Sequence, residues 1–341
     1  MTQSGSIDGF SSIGGVVGYI DSTDLVTFTN VSFSGRVNAT MSNSEGAGGI
    51  IGLINNSASK VKLENVKSEG IISANNNAGG LVGRSAGVLN IANGSFVGSV
   101  STKTNNSNGG AGGLIGVASD SVTLFQTYSS AKIEGVHNVG GLIGLLQPNA
   151  ANLNRYAPVA DISISYSEGS VTGSGNNAGG LIGKNSFNAT ISNCYSTCSA
   201  DSDKNVGGLI GYIDEGPKFK DNVYIKGGID GTVGHTVETR LINCYASGAF
   251  INAKTSHAGG LVGIIRDGGD LFITDCYSMP HSITGGGRLG SVVGEAVADY
   301  VNGMSGSITV PTKVYVYKQL TSVFNPTCIT MQATGLLVTQ D

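Results

Sequence analysis

The sequence is poor in several residue types, and each shortage argues against a class of protein or site. It has no tryptophan, and charged residues make up only 12% of its 341 residues. It has no run of about eighteen apolar residues, so it encodes no membrane-spanning helix. Its lysines and arginines form no basic stripe and its formal net charge is -4, which argues against nucleic acid as a partner. Its four histidines and five cysteines show no zinc-type spacing, so we expect no metal and no other cofactor.

Glycine, by contrast, is abundant, with 54 residues, and much of it belongs to a repeated phrase. The phrase has two glycines, two aliphatic residues and a third glycine, as in Gly-Gly-Leu-Ile-Gly at 179–183. The glycines do not fall at every third residue, which excludes collagen, and apolar residues recur in phase, which argues against disorder. Eight intact copies begin at residues 14, 48, 79, 112, 140, 179, 207 and 259, and a variant, Gly-Ser-Val-Val-Gly, begins at 290.

The spacing of the phrase predicts the fold. The closest copies are 28 residues apart, as between residues 112 and 140. Each unit offers three short β-prone segments: the phrase, a middle segment such as 189–196, and a Gly-x-Val segment such as 169–171. None shows ten residues at helical spacing. We therefore predict an all-β chain, a single-stranded parallel β-helix (β-solenoid) of about nine coils over residues 1–294. We expect it to be right-handed, with residues 295–341 as a C-terminal cap or a distinct β element.

Stacked coils place equivalent residues in columns. The glycines of the phrase fit a corner turned at positive φ, or coils that approach too closely for a Cβ atom. Cys194, Cys244 and Cys276 predict a column of small buried thiols rather than a disulfide framework. A polar residue near the end of the middle segment predicts a buried ladder of hydrogen-bonded side chains, with a ligand-binding row as the alternative. This polar column comprises Asn30, Asn65, Asn93, Gln126, Asn193, Asn243 and Asp275.

Two units are longer than the rest, and both are expanded at the same place, after the phrase. The insertions, 145–161 and 212–240, are expected to leave one corner of the solenoid. Loops held on a rigid scaffold often carry binding residues, although ordinary solvated loops are an equally good interpretation. The candidate binding residues are Arg155, Tyr156, Asp214, Glu215, Lys218, Phe219, Lys220 and Tyr224.

Several Asn-x-Ser/Thr sequons occur in this sequence, which is rich in Asn and Ser. Asn30 and Asn93 fall in the polar column, where a glycan would not fit. Four others are expected in loops and would be glycosylation sites if the source secretes the protein through a glycosylating pathway. They are Asn38, Asn55, Asn105 and Asn188.

The phrase followed by Ile-Ser-Asn-Cys-Tyr-Ser at 191–196 resembles the GLUG-motif repeats of bacterial and protist surface proteins. Such repeats occur in adhesin-like proteins and in non-catalytic regions of some immunoglobulin-A-cleaving proteases. The resemblance covers roughly residues 5–294 and rests on nine recurrences of the motif. It implies an extracellular or cell-surface β-solenoid, and it transfers no catalytic residue.

From this we expect a non-enzymatic structural or adhesive protein, a stalk or filament subunit. Its partners would be further copies of itself, end to end or side by side, or a host or cell-surface protein or glycan. Self-association is suggested because the first residues match the middle of a repeat, without a polar cap. The alternative is a polysaccharide lyase or hydrolase, since such enzymes often use a β-helix. Its site would draw its carboxylates and basic residue from Asp214, Glu215, Asp221 and Arg240.

Overall fold

The computed structural model describes residues 1–40, 46–148, 158–214, 237–266 and 269–296 in full. It also gives the backbone of four short strands, Lys218–Lys220, Val223–Tyr224, Val233–Gly234 and Ile308–Thr309. No helix occurs in this part of the chain. Its strands stack in parallel into four sheets, which we name A to D, and each coil contributes to all four. The predicted parallel β-helix of about nine coils is thus confirmed.

The sheets follow one another along the chain in the order A, B, C, D in every coil. Sheet A consists of Thr2–Gly9, Ser32–Ala39, Lys67–Ala74, Ser95–Thr102, Tyr128–Gly135, Tyr166–Gly173, Tyr195–Ser196, Ser199–Ser202, Tyr245–Ala246, Phe250–Ala253, Tyr277–Ser278 and Ser282–Gly285. Sheet B consists of Ile13–Gly14, Ala47–Gly48, Asn77–Gly79, Gly110–Gly112, Val139–Gly140, Asn176–Gly179, Lys204–Gly207, Ala258–Gly259 and Leu289–Gly290. Sheet C consists of Val17–Ile20, Ile51–Ile54, Val82–Ser85, Ile115–Ala118, Ile143–Leu146, Ile182–Asn185, Ile210–Ile213, Val262–Ile265 and Val293–Ala296. Sheet D consists of Leu25–Thr29, Lys60–Glu64, Val88–Ala92, Val122–Phe125, Val159–Ser163, Asn188–Ser192, Val237–Ile242, Gly269–Thr274 and Ile308–Thr309.

The four sheets correct the expectation of three β segments per coil, because the glycine phrase is divided between two sheets. Its first glycine ends the sheet B strand Asn176–Gly179, and its second aliphatic residue begins the sheet C strand Ile182–Asn185. The residues between them form the turn. Hydrogen bonding between coils continues through this turn, since the Leu81 carbonyl accepts the N–H groups of Ile50 and Ile51, both at 2.9 Å. The phrase is therefore a corner.

Close approach, and not positive φ, explains the glycines of the phrase. None of them has φ in the left-handed region. A Cβ atom on Gly180 would lie 2.0 Å from the carbonyl oxygen of Gly208 in the next coil and 2.3 Å from the Ser196 hydroxyl. A Cβ atom on Gly183 would lie 2.6 Å from the carbonyl oxygen of Gly144 in the coil before. The sequence left both reasons open, and the packing of successive coils selects the second.

The interior of the solenoid is filled by aliphatic side chains that repeat from coil to coil. In Asn188–Ser192, Ala189 and Ile191 are buried while Thr190 between them is only partly covered, as the two-residue period of a strand requires. Leu181 and Ile182 at the corner are fully buried. The core is thus built from ladders of like side chains, which pack at the spacing of the coils.

The predicted cysteine column lies in this core and is confirmed. Cys194, Cys244 and Cys276 are buried and unbridged, and so is Cys198. The Cys244 N–H donates to Sγ of Cys276 over 3.2 Å. A thiol hydrogen bond to Cys194, together with burial, raises the pKa of Cys244 to about 12. The fifth cysteine, Cys328, lies outside the described residues.

The two insertions leave the same corner, as predicted. Each connects a sheet C strand with the following sheet D strand: Ile143–Leu146 with Val159–Ser163, and Ile210–Ile213 with Val237–Ile242. In the second insertion, Lys218–Lys220 pairs antiparallel with two short strands, apart from the four parallel sheets. Beyond residue 294, the backbone of Ile308–Thr309 adds to sheet D beside Leu271 and Phe272.

We predict that Gly180→Ala destabilises the fold by about 3 kcal/mol, because the new methyl group would meet a carbonyl oxygen of the next coil. Urea unfolding followed by circular dichroism measures this as a lower midpoint. Gly9→Ala is the matched control. A Cβ atom at residue 9 would contact only the side chain of Ile13, chiefly its terminal methyl group, which can move aside. Equal midpoints for the two variants would contradict the close-packing explanation.

The cysteine column predicts thiols that stay unreactive in the folded protein. In a Cys328→Ser variant, a thiol-specific reagent at pH 8 should label none of the four remaining cysteines until urea is added. At a pH of about 10 an ordinary thiol, with a pKa of about 8.5, is ionised. The raised pKa keeps Cys244 protonated there, so its native reaction should remain slow. Rapid labelling of Cys244, located by mass spectrometry, would show that the column is open.

Candidate binding groove

A valley runs along the outer side of the solenoid between sheets B and C. In three of the earlier coils aliphatic side chains fill it: Leu53, Val117 and Leu145 are buried there, apart from the main core. Arg84 stands in the same column between Leu53 and Val117, and Asn77 precedes Gly110 in the facing column. At Leu145 the facing residue is a glycine, and a Cβ atom on Gly110 would lie only 3.2 Å from Cβ of Leu145, so close packing shuts the valley at this point.

Two changes open the valley in the later coils. Lys184 and Tyr212 follow Leu145 in the same column of sheet C, so polar side chains replace the aliphatic filling. Across from them, asparagines stand in the column that holds Gly110. The result is a groove of about 470 Å³ whose lining comes from five successive coils. The asparagines are Asn138, Asn177 and Asn205, and the charged and aromatic lining comprises His137, Lys184, Lys204, Tyr212, His257 and Arg266.

The asparagines form a hydrogen-bonded ladder along one wall of the groove. Nδ2 of Asn177 donates to Oδ1 of Asn138 over 2.9 Å, and Nδ2 of Asn205 donates to Oδ1 of Asn177 over 2.8 Å. Their φ angles, 52°, 66° and 54°, lie in the left-handed region, which asparagine adopts more readily than most residues. Nδ2 of Asn138 also donates to the carbonyl oxygens of Ser107 and Gly109. The ladder thus fixes this wall from coil to coil.

The charged side chains that line the groove are only partly paired. Nζ of Lys184 lies 2.6 Å from Oδ2 of Asp214, and the Tyr212 hydroxyl donates to Oδ1 of Asp214 over 3.1 Å. Burial, together with the Asp214 charge, raises the pKa of Tyr212, which stays a neutral donor. Among the described residues, no carboxylate lies within 4.0 Å of the charged nitrogens of Lys204 or Arg266. The groove therefore carries unpaired positive charge.

Two histidines line the ends of the groove. Nδ1 of His137 accepts the N–H of Asn176 over 3.1 Å, and burial lowers the pKa of His137. His257 contacts Glu295, which also pairs with Arg288. Burial, and next the charges of Arg288 and Arg266, lower the pKa of His257. Both groups are thus held largely neutral at physiological pH, and the charge of the groove comes mainly from lysine and arginine.

The structure brings one candidate from the insertions into contact with the groove: Asp214 is bonded to the lining residues Lys184 and Tyr212. Lys218, Phe219, Lys220 and Tyr224 belong to short strands whose side chains are outside the described part of the chain. Arg155, Tyr156, Glu215 and Asp221 also lie outside it. Arg240 lies on sheet D, where it pairs with Glu238 and stacks 4.6 Å above the Phe272 ring. Asp214 and Arg240 are thus engaged with different partners on different sheets.

Two of the four candidate glycosylation sites lie on strands and not in the loops that we expected. Asn38 lies within the sheet A strand Ser32–Ala39, where Nδ2 donates to Asp8 over 2.9 Å and Oδ1 accepts the Ser73 hydroxyl over 2.8 Å. Asn188 begins the sheet D strand Asn188–Ser192. Asn55 and Asn105 are exposed and outside the strands, as expected. The strand positions result from the regular stacking, which carries polar residues on its outer faces.

The predicted polar column is a hydrogen-bonded ladder, but it is exposed and not buried. Nδ2 of Asn65 donates to Asn30 over 3.1 Å, Nδ2 of Asn93 to Asn65 over 3.0 Å, and Nδ2 of Asn243 to Asn193 over 2.7 Å. The column sits at the turn from sheet D to sheet A, with φ between 51° and 55° at these polar positions, which is why the sequence selects asparagine. Ile164 interrupts it at φ 49°.

Sequence reasoning missed two ladders. The Asn138 ladder of the groove escaped because its members lie just before the phrase, where the glycines dominate the pattern. The second is a stack of five tyrosines on sheet A, with ring centroids 4.7 to 5.1 Å apart. A signal for it exists, since each tyrosine stands two residues after the turn position. They are Tyr128, Tyr166, Tyr195, Tyr245 and Tyr277.

Comparisons with protein-family models, with curated proteins and with solved structures gave no match to this chain. The described part of the chain holds no helix of the length and apolar character that a bilayer span requires. Within the same residues, no three His, Cys, Asp or Glu side chains group in a way that could hold a metal ion. Function must therefore be argued from the groove and the scaffold.

We predict that the asparagine ladder stabilises the groove wall through both its amides and its backbone. Asn177→Gly removes two hydrogen bonds and should cost about 1 kcal/mol. Asn177→Ala also places a Cβ-bearing residue without a local hydrogen bond at φ 66°, which should add about 1 kcal/mol. The urea midpoints of the two variants measure both effects. A higher midpoint for alanine than for glycine would contradict the backbone argument.

Proposed function

We propose that this protein is a non-enzymatic extracellular or cell-surface β-solenoid that serves as a stiff stalk or filament subunit and binds through its outer surface. The observation that carries the proposal is the change along one column of sheet C. The column passes from Leu145 to Lys184 and Tyr212 while the glycine phrases beside it are unchanged. A constant scaffold with a locally altered face is the arrangement of a binding repeat protein.

The scaffold itself supports a mechanical role. Every coil is hydrogen-bonded to the next through all four sheets, including the corner at the phrase. Separating two coils would expose these backbone groups and the buried ladders together. Such a stack holds its surface groups at fixed spacing, so that several weak contacts can act together on one partner. The resemblance to surface repeats, which rests on the sequence alone, favours the same role.

The partner that we propose is a glycan or protein on a cell surface, with self-association as a further mode. The loops at the corner between sheets C and D and the groove between sheets B and C both involve the ends of sheet C strands. Asp214 connects the two, since it follows Ile210–Ile213 and pairs with Lys184 of the groove lining. Contacts at this side of the solenoid can therefore combine loop and groove residues.

Retention of particles under flow tests the proposal. Beads coated with the chain should be held on at least one of a panel of glycan-coated, protein-coated and cell-derived surfaces. A surface coated with the same chain tests self-association. Beads that carry the urea-unfolded chain are the control, since they present the same composition without the stacked coils.

Two results would contradict this function. Retention equal to that of the unfolded control on every surface would remove the adhesive role. Turnover of a polysaccharide by the native chain, lost in Asp214→Asn, would instead assign the enzymatic alternative. The assay for reducing ends or unsaturated sugars should use acidic and neutral polysaccharides side by side.

A further inference from the structure

The groove holds positive charge in a protein whose overall charge is negative. The chain has a formal net charge of -4. Lys184 is neutralised by Asp214, but Lys204 and Arg266 have no such partner among the described residues. Both side chains are exposed, so their charges are available to a ligand at little desolvation cost. A ligand for this groove should therefore carry negative charge.

The groove also offers many neutral hydrogen-bonding groups. Asn138 is buried, and its amide donates to the Ser107 and Gly109 carbonyls. Asn177 and Asn205 each have two amide hydrogens, of which the ladder bond uses one. The hydroxyls of Ser107, Thr255 and Ser256 lie along the same lining. Among the described lining residues, Ile264 is the one aliphatic side chain. This composition suits a ligand rich in hydroxyl groups and offers little to the apolar side chains of a peptide.

The length of the groove fits a linear polymer that runs along the solenoid axis. Neighbouring strands of a sheet lie about 4.8 Å apart, so a groove across five coils is about 19 Å long. The asparagine ladder repeats at this spacing, which is close to the length of one sugar in an extended chain. Two successive sugars would then lie beside Asn177 and Asn205 in neighbouring coils.

We infer that the groove binds an acidic oligosaccharide, a linear chain of sugars that carry carboxylate or sulfate groups. Lys204 and Arg266 bind the acidic groups, and Asn177 and Asn205 of the asparagine ladder bond the sugar hydroxyls. Arginine suits this role because its planar guanidinium matches a carboxylate or sulfate with two parallel hydrogen bonds. The inference names the ligand class for the binding role proposed above and rests on it.

Calorimetric titration of the soluble chain tests this inference. The probes are short oligogalacturonates, sulfated oligosaccharides, a neutral oligosaccharide of equal length and a poly-glutamate peptide. We expect at least one acidic oligosaccharide to bind about tenfold or more tightly than the neutral one, with an affinity that falls as salt is raised. The carboxylate and sulfate probes distinguish the two sources of charge.

Charge reversal locates the site. Lys204→Glu with Arg266→Glu should weaken binding of the acidic oligosaccharide about tenfold or more. Lys60→Glu with Lys67→Glu is the matched control, because both lysines are exposed and lie in earlier coils on sheets D and A. The control should bind as the native chain does. Equal urea midpoints show that both double variants are folded, and Lys204→Gln with Arg266→Gln repeats the test if the glutamates unfold the chain.

Several outcomes would overturn the inference. They are equal affinity for neutral and acidic oligosaccharides, tighter binding of poly-glutamate, or unchanged binding in the folded groove variant. If beads are retained on a surface while no acidic oligosaccharide binds, the ligand class is wrong and the adhesive role stands. If the oligosaccharide binds in solution while beads are never retained, the adhesive role is wrong and the groove assignment stands.

Discussion

Hydrogen bonding from each coil to the next is the interaction on which the remaining structure depends. The backbone N–H and C=O groups of a coil point along the solenoid axis and have no partner within the coil. They must therefore form hydrogen bonds with the neighbouring coils. Hydrogen bonding between coils is hardest to maintain at the corner, because a backbone that changes direction turns its N–H and C=O groups away from the neighbouring coil. Here the Leu81 carbonyl accepts two N–H groups from the coil before, and glycine at 80 and 83 lets the backbones come close enough. The phrase recurs because every coil needs the same hydrogen bonds and the same close backbone contacts at this corner.

Because the coils stack in register, equivalent side chains lie above one another in columns, and like side chains must interact favourably with each other. Aliphatic side chains pack together, asparagines form amide-to-amide hydrogen bonds, and tyrosines stack their rings. Lys184 and Tyr212 follow the buried Leu145 in the column of the valley, and the asparagine ladder follows Gly110, which faces Leu145, on the other wall. Both walls of the open groove are therefore polar over the same consecutive coils.

The sequence correctly predicted the features that follow from the spacing of the repeats and from the chemistry of the repeated residues. The number of coils, the parallel stacking, the cysteine column, the amide ladder and the shared corner of the insertions all follow from spacing. It predicted less well where a feature depends on the distance between two sheets. The amide ladder was expected to be buried because Asn193 stands beside the buried Cys194, but the left-handed turn places the amides on the outside. Asn38 was expected in a loop because sequons favour loops, yet it pairs with Asp8 on a strand.

The amino-acid sequence by itself determined the coil and its repetition, because the glycine phrase has one period and that period leaves room for short strands and no helix. It also determined which residues share a column, since in-register stacking follows from the period. Only the tertiary structure decided that the phrase is a corner between two sheets and that the outer sides of those sheets form a valley. The physical reason is that the width of the valley depends on how closely sheets B and C approach, and that approach is set by glycine contacts between different coils. The pairing of Lys184 with Asp214 was likewise visible only in the structure, because it joins side chains of two successive coils along sheet C.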